Sequence, residues 1–225
     1  MSLQSLEKQT HAVDRALEPW KGGAATEGFA VADTAAPLLD WRASAAALAI
    51  WRRMPPADIG LAIERQPLDA IQGWRLTTNA GALETHVREA LSACGLEQEG
   101  LRRHFATDMT HLGRVFATAT GAKDLEVRFE VVKGDACRRF HTDSYPERLA
   151  VTYVGPGTVV VPRCHSERAL AEQDDYSGPV LEIPAFWVSL FAGEQPGRVG
   201  LVHRSPRITG TGAVRLFFCV NAARN

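Results

Sequence analysis

Residues Cys137–Thr158 read CRRFHTDSYPERLAVTYVGPGT. His141 and Asp143 stand two residues apart there, just ahead of the apolar, β-favouring run Leu149–Val154. Side chains two apart on a strand point to the same face. At the end of an inward-facing strand, this imidazole and this carboxylate could reach one metal ion. On its own, His-x-Asp is also what a capped surface turn provides, so the surrounding sequence must supply the rest of a site.

The chain changes texture near Gly121. After it come eight short β-type runs: Leu125–Val132, Arg138–His141, Leu149–Val154, Val159–Val161, Val180–Ile183, Trp187–Phe191, Gly200–His203 and Val214–Val220. Turn residues separate nearly every pair, as in Lys133-Gly134-Asp135, Gly155-Pro156-Gly157 and Gly210–Gly212. Eight short strands in about 95 residues are what a jelly roll requires. Ser166–Ser177 reads as a polar loop. Before Gly121 the chain is Ala-rich and helical in pattern. Helices are expected over Leu3–Leu17, Leu38–Arg53 (stopped by Pro55-Pro56), Ala57–Arg65 and Gly81–Ala93. Leu101, Phe105, Met109, Leu112 and Phe116 recur at spacings of three and four, giving one apolar helix face that ends before Gly121. The expected fold is therefore α+β, with an N-terminal helical region (1–120) packed on a C-terminal jelly roll (121–225). No polar or Pro/Ser-rich linker divides them, so one integrated unit is expected.

Composition narrows the function. The 225 residues carry 25 Lys and Arg against 26 Asp and Glu, which gives no bulk attraction to nucleic acid or an anionic membrane. The first eight residues read as no signal peptide, and no apolar run reaches the roughly 20 residues of a membrane span. A cytoplasmic protein is expected, with a small-molecule or unknown substrate and neither nucleic acid nor membrane as partner. Cys94, Cys137, Cys164 and Cys219 form no CxxC pair and read as free thiols, the first and last in the core.

A metal needs a third ligand, and His203 in VGLVHRSP (199–206) supplies one at the end of the seventh run. In a jelly roll the second and seventh strands lie side by side. His141, Asp143 and His203 would then form the two-histidine, one-carboxylate set of non-haem Fe(II) oxygenases, which leaves coordination positions open. Arg215 follows twelve residues later, flanked by apolar residues. A buried guanidinium needs an anionic partner, and its fork suits a carboxylate. Arg139, Arg148, Arg204 and Arg207 are rivals for that role, and Arg148 or Arg215 could instead pair with Asp143 or Glu147.

With these residues in place, the C-terminal half resembles the double-stranded β-helix of Fe(II)/2-oxoglutarate-dependent oxygenases. That resemblance implies iron at His141, Asp143 and His203, 2-oxoglutarate at Arg215, and oxidation of an unidentified substrate. Cupins share the β-helix, but their metal motif is His-x-His followed by Glu; here Asp143 replaces the second His, although Glu147 follows. The phrases RFHTDSYPERLAVTYVGPGT and GLVHRSP also resemble a bacterial family described as a domain of unknown function (1826), whose members often sit near genes of zinc homeostasis. That resemblance implies an alternative: a zinc-binding, non-redox metal-handling protein. Cys137, four residues before His141, would be an added thiolate ligand only if the strand bends, since a straight strand puts it about 13 Å away. A third reading is a metal-free interaction module. His11, His86, His104, His111 and the pair Cys164-His165 are expected to lie outside the site.

Overall fold

A computed structural model describes Trp20, residues 26–196 and residues 198–224; the helix expected over Leu3–Leu17, and His11 with it, lies outside them. Among the described residues, ten strands form two sheets. They are β1 (Phe29–Ala32), β2 (Leu48–Trp51), β3 (Trp74–Asn79), β4 (Asp124–Val132), β5 (Glu147–Val154), β6 (Val159–Val160), β7 (Leu181–Glu182), β8 (Val188–Ala192), β9 (His203–Arg204) and β10 (Arg215–Ala222). The large sheet has the order β1-β2-β8-β5-β10-β4-β3 and the small one β7-β6-β9. All pairings are antiparallel except β1 with β2. The helices are α1 (Ala36–Leu39), α2 (Ala57–Glu64), α3 (Leu83–Ala93), α4 (Glu99–Thr120) and α5 (Ser166–Glu172).

Strand alternation sorts these elements into layers. Leu149, Val151 and Tyr153 of β5 and Leu216, Phe218 and Val220 of β10 pack on the apolar face of α4, among Phe105, Met109, Leu112 and Phe116. The alternate residues Ala150 and Cys219 face the other way and pack with Val160, Leu181 and Leu201 between the two sheets. Beyond the small sheet, Phe140, Val161, Ala169 and Val202 form an outer cluster under α5. Gly121 ends α4 in the left-handed region at φ 71°, with its N–H on Ala117 O at 2.8 Å, the conformation glycine adopts without steric cost.

Four sequence expectations are corrected, the last of them in the strand expected to carry His141. The region before Gly121 is not wholly helical, because β1, β2 and β3 all join the large sheet. The helix expected over Leu38–Arg53 contracts to α1 and a 3-10 turn at Trp41–Ala43, and Leu48–Trp51 is a strand between β1 and β8. Leu48 and Ile50 fill one face and Ala49 the other, so burial on both faces outweighs the helix propensity of the alanines. The loop expected over Ser166–Ser177 begins as α5. One buried side chain, Ala169, and one i,i+4 pair, Arg168–Glu172 at 2.7 Å, support it; a helix that short shows no periodicity in sequence.

The expected second strand, Arg138–His141, reduces to a single bridge from His141 to His203. Two features stop it from extending. Cys137 sits at φ 45°, outside the β region. The Gln173 side chain takes both backbone groups of Phe140, accepting from N at 2.9 Å and donating to O at 3.0 Å.

A buried ion pair ties helix to sheet. Arg53 forks onto Asp108 of α4, with Nη2–Oδ2 at 2.7 Å, and the Tyr153 hydroxyl donates to the same oxygen at 2.6 Å. Burial would raise the Asp108 carboxyl, but the hydrogen bond and charge of Arg53 hold it below its ordinary value. Asp108→Ala would strand the guanidinium and is expected to cost about 3–5 kcal/mol; Tyr153→Phe should cost about 1 kcal/mol. Denaturant titration of the two variants checks both values.

Candidate metal centre

The site forms where the two sheets meet. His141 and His203 are directly opposed: each backbone N–H donates to the other's carbonyl at 3.0 Å. Opposed residues project their side chains from the same face, and the two rings lie 4.5 Å apart, centroid to centroid. Asp143 follows two residues after His141 and turns its carboxylate to both rings. Its Oδ1 lies 4.0 Å from His141 Nε2 and its Oδ2 lies 3.8 Å from His203 Nε2. One ligand atom from each residue falls within 4.8 Å of the others, and among the described residues no other group of three His, Cys, Asp or Glu does so.

Each ring has a fixed tautomer. His141 Nδ1 meets Arg139 O at 2.9 Å and His203 Nδ1 meets Leu201 O at 3.0 Å. A carbonyl oxygen only accepts, so both Nδ1 atoms carry the proton and both Nε2 atoms present lone pairs to the centre. Metal-binding histidines are commonly held in this way. Burial, opposed by the Asp143 charge, pushes His203 down to about 4, which keeps it neutral and able to ligate. The second oxygen of Asp143 is buried with no hydrogen-bond partner, although the residue is only 6% exposed. An orphaned anionic oxygen facing two imidazole lone pairs is costly as it stands. A divalent cation fits all three donors.

The loop carrying Asp143 rests on bare backbone. A Cβ at Gly193 would overlap the carbonyl oxygens of Tyr145 and Asp143, and Glu194 N donates to Asp143 O at 3.2 Å. Glycine at 193 is therefore required by the close approach itself.

A cavity of about 100 Å³ opens beside the cluster, lined by His141, His203, Arg148, Arg215, Thr158, Ser205 and Phe191 among others. Arg215 is 3% exposed. Its Nη2 donates to Thr152 Oγ1 at 3.0 Å and Thr158 Oγ1 at 2.7 Å, and its Nε to Thr152 Oγ1 at 3.1 Å. Its Cζ stacks 4.2 Å over the Phe217 ring. A register shift between Leu216 and Phe217 lies beside this contact, where bulges commonly re-aim a side chain. Burial lowers the group to about 10. Among the described residues it forms no ion pair: its direct partners are hydroxyls, and the carboxylates of Glu182 and Glu130 act on it only from beyond ion-pair distance.

The structure thus brings together His141, Asp143, His203 and Arg215. The other candidates fall elsewhere. Cys137 lines the cavity but contributes no atom to the cluster, and Glu147 stands outside it. Arg148 pairs with Asp143 at 3.1 Å and Arg207 pairs with Asp174. Arg204 stacks on Phe140, with Cζ 4.2 Å from the ring, and Arg139 is exposed. Cys164 borders a separate cleft with Glu27, Gly28 and Arg163. His86 bonds Thr78, His104 lies against Phe105 and His111 lies edge-on to Trp51. Thr152, Thr158 and Asn221 were missed in sequence. Strand alternation puts Thr152 on the face of β5 that Ala150 shares, but nothing in the sequence singles it out.

The profile of the family described as "Protein of unknown function (DUF1826)" matches residues 32–221, and the chain belongs to that family. No curated protein matches the sequence. Solved structures with some likeness include a prolyl-4-hydroxylase from Pseudomonas putida, at 15% identity, 85% of this chain, 94% of that chain and a TM-score of 0.41. AviO1 from Streptomyces viridochromogenes gives 14%, 82%, 96% and 0.38. The non-heme alpha ketoglutarate dependent carbocyclase SnoK, from nogalamycin biosynthesis, gives 10%, 88%, 86% and 0.35. At such scores these likenesses establish neither the fold nor the activity of this chain.

If the cluster binds a divalent ion, the ion stabilises the folded state by mass action. Stripping the protein with a chelator is expected to lower Tm by about 5–10 °C relative to protein held at about a hundredfold excess over Kd. His141→Ala should abolish that difference. Thermal melts with and without chelator are the check.

Proposed function

We propose that this chain is a non-haem Fe(II), 2-oxoglutarate-dependent oxygenase acting on a small molecule. The observation that carries the reading is one cavity holding two unmet needs. Two imidazole nitrogens converge with a carboxylate oxygen that has no donor, and a buried guanidinium has no carboxylate paired to it. A metal ion at His141, Asp143 and His203 would answer the first. An organic acid bound at Arg215 would answer the second. A two-histidine, one-carboxylate set leaves ligand positions open, which suits a metal that must also take up a cosubstrate.

In this reading the two facing sheets form a double-stranded β-helix. The His141–His203 bridge supports that assignment, because it pairs the expected second and seventh strands. When bound, iron and 2-oxoglutarate would supply the activation of dioxygen and the electrons for it. The chain's own residues would bind and orient. Arg215 would receive a carboxylate through its fork, with Thr152, Thr158 and Ser205 around it; Ser205 Oγ is 3.5 Å from Nη1. Phe217 under the guanidinium and Phe191 against His203, at 4.8 Å between centroids, would limit water at the two charged ends.

Zinc held by the same three residues is the second reading. Cys137 was the residue that favoured it over iron, and its sulfur stands apart from the cluster. The cosubstrate separates the two readings. Titrating 2-oxoglutarate into the anaerobic Fe(II) protein is expected to produce a visible charge-transfer band. Arg215→Met should raise the Kd for 2-oxoglutarate about 10- to 100-fold, the size of a lost charge-assisted hydrogen bond. If wild type shows neither band nor binding, the oxygenase reading fails.

A further inference from the structure

We infer that Arg148 is a positioning residue that occupies one oxygen of Asp143 and so leaves the other alone for the metal. The inference rests on the metal-site reading above. The two oxygens of Asp143 are in different states. Oδ1 is 3.1 Å from Arg148 Nη1. Oδ2 is buried, has no hydrogen-bond partner and lies 3.8 Å from His203 Nε2. A guanidinium meeting a carboxylate for structural purposes alone favours a fork onto both oxygens, as Arg53 does with Asp108. Arg148 takes one.

What holds Arg148 to one oxygen is a row of side chains across three strands. In register, Arg148 of β5 faces Asn221 of β10, and Asn221 faces Glu126 of β4. Arg148 Nε donates to Asn221 Oδ1 at 2.9 Å. Asn221 Nδ2 donates to Glu126 Oε1 at 3.3 Å, and the Tyr145 hydroxyl donates to the same atom at 3.0 Å. An Nε–H only donates, so the amide of Asn221 is fixed with its oxygen toward Arg148. Asn221 is fully buried. Only 15% of the Arg148 side chain and 7% of the Asp143 side chain are exposed, so the contact acts in a partly desolvated setting. With Oδ1 engaged by the guanidinium, Asp143 is left to bind through a single atom, which keeps further metal positions free for cosubstrate. It also explains why Arg148, though it borders the same cavity, is not available to a ligand carboxylate.

The test uses Co(II) as the probe metal on the full chain. Its affinity and visible absorption spectrum are measured for wild type, Arg148→Met, Arg148→Gln and Arg148→Lys. We expect Arg148→Met and Arg148→Gln to bind Co(II) about 10- to 100-fold more weakly and to show an altered spectrum as Asp143 gains a second free oxygen. Arg148→Lys restores a cation beside Oδ1 but breaks the Asn221 link, so it should recover the wild-type spectrum while melting below wild type. Arg148→Gln keeps the experiment decisive should Arg148→Met fail to fold. If wild type binds Co(II) and the neutral variants bind it equally well with the same spectrum, Arg148 is only structural and the inference is overturned. If wild type binds no Co(II), the metal-site reading itself fails.

Discussion

The constraint on which the rest of this structure depends is the pair of backbone hydrogen bonds between His141 and His203, each 3.0 Å long. They close a single bridge, with no strand on the His141 side to support it. That bridge fixes three things together. It sets two imidazoles on one face of the sheet. It places Asp143, two residues on, beside them. It also joins the segment leaving β4 to the small sheet, closing off the space between the layers. Each ring is then turned by its own carbonyl two residues back, so the lone pairs converge on one point.

The site is organised by charges left without partners, and that is informative because burying them is expensive. Elsewhere the chain pairs its buried charges. Arg53 has Asp108 and Tyr153. Around one small cavity the pattern breaks. Asp143 has Arg148 at Oδ1 but no donor at Oδ2, and Arg215 touches hydroxyls and the face of Phe217, with Glu182 and Glu130 acting on it from farther off. A carboxylate oxygen without a donor beside two imidazole nitrogens, and a guanidinium without a paired carboxylate, set this cavity apart and are what the proposed function rests on.

Much of the site was legible in the sequence because its residues follow local rules. His141 and Asp143 share a face through the two-residue period of extended chain. Arg215 stood out as a charge inside an apolar strand. The apolar face of α4 and its end at Gly121 were likewise visible. What was not legible came from pairing. Leu48–Trp51 follows directly on the alanine run Ala45–Ala47, which suits a helix, and its neighbours β1 and β8 make it a strand. The row Arg148–Asn221–Glu126 depends on register across three strands, which no stretch of sequence states. Thr152 and Thr158 are unremarked until Arg215 is placed between them. The short helix α5 is held by tertiary contact through Ala169, a single residue with no periodic signature.

The central claim is that His141, Asp143 and His203 together hold a redox-active metal. Mass spectrometric metal analysis of protein purified anaerobically, wild type beside His203→Ala, tests it most directly. The account predicts close to one iron per chain in wild type and loss of that iron in the variant. A wild type that takes up no metal after incubation with Fe(II), or a variant that keeps its full metal content, would contradict it.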